Sequence, residues 1–407
     1  MKHFNSFSRA LCLAAFIIMT ASVHAQTFPS QGAHMDSVEI SLLTCSPGNE
    51  VWSLYGHSAI RIQDKSNGED VAVNYGLFDY NQKNFIIRFI FGLTDYSVGI
   101  APFPMFLTEY ARQGRTVVQQ RLNLSPEEKT YIIQAIAENC SPANRIYRYN
   151  YFYDNCTTRA RDMLVNHLSG KVVYVGRTNL RCSYREMVHQ WTENHRWARF
   201  GKDLLLGVKA DVRNDFAARQ FLPDSLRADF EHAFVLEPTH QKHALVDSTF
   251  EVLKGNTQNS TTEQSVWDNI SPRMLFAILA VIIFLTTAYE CYRRKTFWLI
   301  DVILLTLDGI PGLILFAMIF SKHPTVSLNL QILLLNPLSI IFVYSVAKKA
   351  AKHKYHWFWN VLGVCVILFF IGSVFQNYAE GMNILALTLL VRVVANRFIY
   401  KYPTLKT

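Results

Sequence analysis

Residues 147–162 read Y-R-Y-N-Y-F-Y-D-N-C-T-T-R-A-R-D. An aromatic, strand-like run leads into Asp154-Asn155, two residues whose short side-chain oxygens suit the N-cap of a helix. The spacing predicts a helix from about Cys156 to Ser169, ended by Gly170, with the cysteine in its first turn. Unpaired N–H groups and the helix dipole favour an anion there, which lowers a thiol's pKa and enriches the reactive thiolate. Arg159, one turn on, adds to that field. A small buried cysteine at a helix start is the plain alternative.

The flanking sequence fills in the domain. Short, partly alternating runs rich in β-branched residues at 38–44, 58–63, 71–75 and 116–122 predict strands. Ser125-Pro126-Glu127-Glu128 and Ser183-Tyr184-Arg185-Glu186 are capping boxes, the first with proline at the opening helical position. Strands followed by helices over residues 26–253 predict an α+β domain with an antiparallel sheet.

The chain has 407 residues, 50% of them apolar and only 17% charged, with 28 Phe and 19 Tyr. So aromatic and weakly charged a chain is neither a disordered tail nor a nucleic-acid-binding one. Its apolar runs concentrate at the C-terminal end. Segments near 274–290, 297–320, 328–347, 357–376 and 382–400 each approach the ~20 residues that span a bilayer. An all-α membrane domain of five transmembrane helices is therefore expected over 272–407. The polar stretch 254–271 reads as a linker.

At the other end, Lys2 and Arg9, the apolar run 11–19 and the small-residue site Val23-His24-Ala25 predict a signal peptide over 1–25. Arg293, Arg294 and Lys295, then Lys348, Lys349, Lys352 and Lys354, then Arg392, Arg397, Lys401 and Lys406 alternate with loops holding little beyond Lys322 and Glu380. Positive-inside logic puts the basic loops and the C-terminus in the cytoplasm and the domain at 26–253 in the periplasm, tethered to the inner membrane. The net charge of +9 then reports mostly orientation.

A thiol nucleophile needs a base, and the base an orienting acceptor. His167 shares a helix face with Cys156 but stands ~16 Å along the axis, out of reach. His57, in Y-G-H-S-A-I-R-I, opens a predicted strand behind Gly56, where it can be held rigidly.

Y-G-H-S-A-I-R-I at 55–62, V-N-Y-G-L-F-D-Y at 73–80 and D-N-C-T-T at 154–158 resemble the Lnb-type lipoprotein N-acyltransferases of Bacteroidetes. More distantly they resemble the circularly permuted papain-like group that includes NlpC/P60 proteins and lecithin:retinol acyltransferase. The resemblance extends to S-K-H-P-T-V-S-L-N-L-Q-I-L-L-L-N-P-L at 321–338. It implies a permuted papain-like periplasmic domain in which Cys156 is the nucleophile and His57 the base. The distant relatives often place a second histidine on the next strand, but this chain has none between His57 and His167. Asn74 lies on that strand and its amide oxygen can accept the imidazole N–H; Asp79 is the second choice for the third position.

Tyr55, Asn155 and Arg159 are candidate substrate contacts beside the thiol. His323, Asn329 and Asn336 are candidates for binding a lipid headgroup, with interfacial capping and helix–helix hydrogen bonding as the structural alternative. Asp301 and Asp308 lie nearly on one face of the second membrane segment, within the compass of Arg392. No metal or cofactor is expected, since no H-E-x-x-H, C-x-x-C or phosphate-cradling loop occurs. Cys45, Cys140 and Cys182 share the oxidising compartment, and two of them can pair.

The resemblance implies that a membrane phospholipid donates an acyl chain, through a Cys156 thioester, to the α-amine of a diacylglyceryl-cysteine lipoprotein. The same dyad with water as acceptor would be a cell-wall peptidase, phospholipase or thioesterase. A non-catalytic membrane sensor with a structural cysteine is the third possibility.

Overall fold

The computed structural model describes residues 35–79, 81–175, 181–256 and 269–401. The expected signal peptide and residues 257–268 of the expected linker lie outside the described residues. The described residues fall into two compact units, one within 1–180 and 215–262, the other within 181–214 and 263–407.

The strands are β1 (Val38–Cys45), β2 (His57–Asp64), β3 (Glu69–Leu77), β4 (Asp95–Pro102), β5 (Val117–Leu122), β6 (Ile146–Arg148), β7 (Lys171–Val173), β8 (Phe234–Leu236), β9 (Lys242–Ala244) and β10 (Val246–Leu253). The helices are α1 (Phe85–Ile90), α2 (Phe103–Arg112), α3 (Pro126–Cys140), α4 (Cys156–Val165), α5 (Tyr184–Trp191), α6 (Arg196–Leu205), α7 (Pro223–Glu231), α8 (Pro272–Arg293), α9 (Trp298–Met318), α10 (Pro337–Ala350), α11 (Phe358–Gly372) and α12 (Met382–Lys401).

In the first unit seven strands run β10-β5-β1-β2-β3-β4-β6, every neighbouring pair antiparallel. Strands β7, β8 and β9 form a smaller antiparallel sheet. The α+β architecture with an antiparallel sheet is as expected. Successive side chains of a strand point to opposite faces, and here both faces are covered. Ile40, Leu42, Ile60, Ile62, Val73 and Tyr75 face a core completed by Ile132, Ile136, Leu164 and Phe230. Leu43, Ala59 and Ala72, one residue out of phase, face Phe103 and Phe106 of α2.

The Ser125 box forms as written: the Glu128 amide donates to Ser125 Oγ at 3.2 Å, and the Ser125 amide donates to Glu128 Oε2 at 2.9 Å. Helix α4 ends at Val165, short of the expected Ser169. The cause is tertiary: the Ser169 amide and hydroxyl donate to Glu128 Oε1 at 2.8 and 2.7 Å, drawing the chain out of the helical path.

The second unit is helical. Among the described residues four spans are long and apolar enough to cross a membrane, Pro272–Arg293, Trp298–Met318, Leu330–Ala350 and Met382–Tyr400, and Phe358–Gly372 is a shorter apolar fifth. This matches the expected five-helix membrane domain. The expected third segment begins with a 3-10 turn, Leu330–Leu333, before α10, because Pro337 occupies the first helical position with Asn336 as its cap. Helix α9 approaches α10 and the turn before it closely at small residues: a Cβ on Gly309 would stand 2.4 Å from the Ile340 amide of α10, and one on Gly312 would stand 2.5 Å from the Leu335 carbonyl in that turn.

Residues 181–214 belong to this unit, the Gln331 side chain donating to the Asp203 carbonyl at 2.8 Å and the Gln376 side chain to the Leu206 carbonyl at 3.0 Å, and a buried fork ties the segment to itself. Arg185 donates to Asp203 Oδ1 at 2.7 Å, to Asp211 Oδ1 at 2.9 Å and to the Leu206 carbonyl at 2.9 Å. The three side chains are nearly solvent-free, and the arginine neutralises charges that would otherwise be costly to bury.

Candidate active site

His57 is the first residue of β2, and Gly56 sets its approach. Gly56 has φ 84°, and a Cβ there would lie 2.5 Å from the Cys45 carbonyl. Only glycine takes that conformation and that contact together. Asn74 on β3 pairs with Ala59, two residues from His57 along β2. The two side chains are thus diagonal neighbours on one face of the sheet. His57 Nε2–H donates to Asn74 Oδ1 at 3.2 Å. Asp79, the other candidate for this position, is exposed and accepts the Asn81 amide at 2.8 Å instead.

Cys156 arrives at the same sheet end on α4. Gly76, φ 86°, makes room: its missing Cβ would lie 3.5 Å from Cys156 Cβ and 3.5 Å from Tyr149 Cε2. Asn155 is the N-cap, its Oδ1 accepting from the Thr157 and Thr158 amides at 2.9 Å each. Its amide nitrogen donates to the carbonyls of Tyr151 and Phe221 at 2.9 and 2.8 Å. Asn155 is therefore consumed in holding the helix start. A further tie joins helix to sheet, Ser58 Oγ donating to Thr157 Oγ1 at 3.2 Å.

The thiol is brought down to about 7. Burial acts most strongly and raises it. The charge and hydrogen bond of His57, the Ser58 amide and the Thr157 hydroxyl together outweigh that burial. With Nε2 engaged by Asn74, Nδ1 is the imidazole nitrogen left to take the thiol proton. The Thr157 and Thr158 amides are taken by the cap, and the Cys156 amide reaches the Tyr149 hydroxyl. All three first-turn amides are thus engaged, the Cys156 amide by a side-chain hydroxyl and the other two by the cap.

Of the other expected residues, Arg159 forms a two-point pair with Asp154 at 2.6 and 2.9 Å and lies 3.4 Å over the Tyr147 ring. Tyr55 is buried and packs edge-on against Tyr151, centroids 5.4 Å apart. Tyr110, which no sequence motif singles out, stacks against His57 at 6.5 Å and 17°. Cys45, Cys140 and Cys182 are free thiols, as is Cys156. Burial pushes Cys45 up to about 12 and Cys140 to about 11, so neither competes as a thiolate.

Two families match the chain. The Lnb N-terminal periplasmic domain covers residues 25–187, with the whole thiol site inside it, and the Lnb transmembrane domain covers residues 261–403. The chain belongs to the Lnb family. It is a membrane protein of lipoprotein processing with a periplasmic N-terminal domain. No curated protein and no solved structure matches it.

The remaining expected residues lie within the Lnb transmembrane domain. Asn329 donates to the Leu204 carbonyl at 2.7 Å and accepts from the Gln331 amide at 3.1 Å and from Gln376 at 2.9 Å. Asn336 caps α10 by accepting the Leu338 amide at 3.0 Å. Both are buried, and these bonds are structural. His323 is half-buried in the loop after α9.

Arg392 does meet Asp301, at 2.6 Å, and it is shared with Glu290. Asp308 departs from that expectation, because its Oδ2 accepts from Ser339 at 2.6 Å and from the Asn336 amide at 3.2 Å. Among the described residues no cluster suited to a metal ion occurs.

Proposed function

We propose that this Lnb-family chain is a lipoprotein N-acyltransferase in which Cys156 is the nucleophile, His57 the base and Asn74 the residue that orients it. The observation carrying this reading is a thiol lowered to about 7 beside a histidine whose far nitrogen is held by an amide oxygen. The Cys156 thiolate attacks the carbonyl carbon of a phospholipid ester. The C–S bond forms, the ester C–O bond breaks, and the lysophospholipid oxygen leaves with the proton that His57 had taken.

The amine of a diacylglyceryl-cysteine lipoprotein then attacks the thioester. It gives its proton to His57 as the amide C–N bond forms and the thiolate is released. The Cys156 amide, once the Tyr149 hydroxyl gives it up, is the donor assigned to both tetrahedral oxyanions. A histidine that precedes the cysteine in the chain suits a circularly permuted papain-like arrangement. Tethering to the bilayer, with the catalytic domain in the periplasm and the C-terminus in the cytoplasm, raises the effective concentration of two membrane-bound substrates.

Product analysis tests the reaction type. Purified protein mixed with phospholipid and a diacylglyceryl-cysteine peptide yields a triacylated peptide carrying one new amide and an equal amount of lysophospholipid. Free fatty acid without amide would assign the same site to hydrolysis.

A further inference from the structure

Helix α1 presents an apolar surface that the first unit leaves open. Ile86 and Ile87 are 74% and 57% exposed, and Phe89 and Leu93 are exposed beside them. Exposed apolar side chains clustered on six helical residues mark an interaction surface more often than a solvated one.

From this tip a ladder of rings leads to the thiol. Phe89 stacks on Phe85 with centroids 6.4 Å apart and Phe85 on Phe78 at 6.2 Å; Phe78 meets Tyr96 tilted at 5.1 Å, and Tyr96 stacks on Tyr149 at 4.2 Å. Tyr149 ends the ladder beside Gly76 and Cys156. Phe78, Phe85, Tyr96 and Tyr149 are each half-buried, so every ring of the ladder keeps some exposed surface.

Charge distinguishes the occupant. Arg88 and Arg148 both pair with the single carboxylate of Asp95. With exposed Lys83 and Asp79 added, the tip carries three cationic groups against two anionic ones. Apolar side chains ringed by surplus guanidinium charge suit a phospholipid, whose acyl chains and phosphate match the two halves.

We propose that α1 is where the phospholipid donor enters. Ile86, Ile87, Phe89 and Leu93 insert among bilayer acyl chains, the arginines hold the phosphate, and the ring ladder guides one acyl ester to Cys156. The membrane-insertion half stands by itself; the guidance half rests on the acyl-transfer reading of the thiol site.

The test uses full-length protein in phosphatidylglycerol-containing nanodiscs, with a photoreactive benzoylphenylalanine at position 87 or, as control, at exposed position 131. Phospholipid adducts are expected at 87 and at least tenfold fewer at 131. Equal adducts, no lipid adduct at 87, or cross-linking at 87 to protein instead of lipid overturns the proposal. A second arm compares Ile86→Asp/Ile87→Asp with wild type for thioester formation from phospholipid and for acylation by water-soluble p-nitrophenyl acetate. The expected result is a tenfold or greater loss with phospholipid and less than a twofold change with the soluble ester. Equal thioester formation from phospholipid overturns the guidance role while leaving the acyltransferase reading intact. Lipid adducts at 87 in a wild-type protein that forms no thioester from either donor would refute that reading, and guidance with it, and leave α1 as a membrane-inserting element.

Discussion

His57 Nε2 lies 3.2 Å from Asn74 Oδ1 across adjacent antiparallel strands. That bond sets which imidazole nitrogen is protonated, and so which one can serve the thiol. Removing it by Asn74→Ala frees the ring to rotate and to take the other tautomer. The net worth of such a bond is about 1.4 kcal/mol, a roughly tenfold fall in the rate of Cys156 acylation. Single-turnover acylation of the variant checks this, with the unfolding midpoint as control. Asp79→Ala leaves the rate unchanged.

The pH dependence follows from the lowered thiol. At about 7, Cys156 is mostly thiolate between about pH 7 and about pH 8, where an ordinary thiol is still mostly protonated. Alkylation by iodoacetamide, followed at Cys156 by peptide mass, therefore falls as pH drops through about 7 and levels off above it. In His57→Ala the midpoint moves upward, because the charge and hydrogen bond opposing burial are gone. The linked stability has the matching sign. A depressed folded-state value contributes stability that is complete above the ordinary thiol range and is lost as pH falls through about 7.

Asn155→Ala removes the acceptor of two first-turn amides and the tie to Phe221. A cap of this kind contributes about 1–2 kcal/mol. Denaturant unfolding should report that loss, and acylation should fall with it because the Cys156 amide loses its fixed direction.

In the second unit, Arg185→Met would leave Asp203 and Asp211 buried without their cation. Breaking one side of such a cluster costs about 3–5 kcal/mol. The expected readout is accelerated proteolysis within 181–214 in detergent-solubilised protein, with Arg199→Met, on the neighbouring helix, as an unaffected control.

Much of the site was legible because its parts are local or one strand apart. The cap at Asn155 and the cysteine after it are consecutive, and the His57–Asn74 contact follows once two short runs are read as paired strands. Tyr110 was not legible, since α2 is brought to His57 by Phe103 and Phe106 packing against Ala59 and Ala72 on the sheet face that His57 shares. Strand β4 escaped because D-Y-S-V-G-I-A-P carries glycine, proline and little alternation; its partners on β3 impose the extended form. The early end of α4 reflects Glu128, which caps α3 and also binds Ser169. Asn329 and Asn336 read as ligand candidates because amides in an apolar stretch need partners. Their partners are backbone groups at helix ends, which sequence spacing does not reveal.

The most direct measurement is the intact mass of purified full-length protein in phospholipid-containing detergent, before and after hydroxylamine, beside Cys156→Ser. A thiol acyltransferase gains the mass of one fatty acyl group, loses it to hydroxylamine, and shows no labile adduct in the variant. Folded wild-type protein that stays unacylated with several phospholipid donors, or a Cys156→Ser variant that acquires the same labile adduct, would contradict a thioester at Cys156.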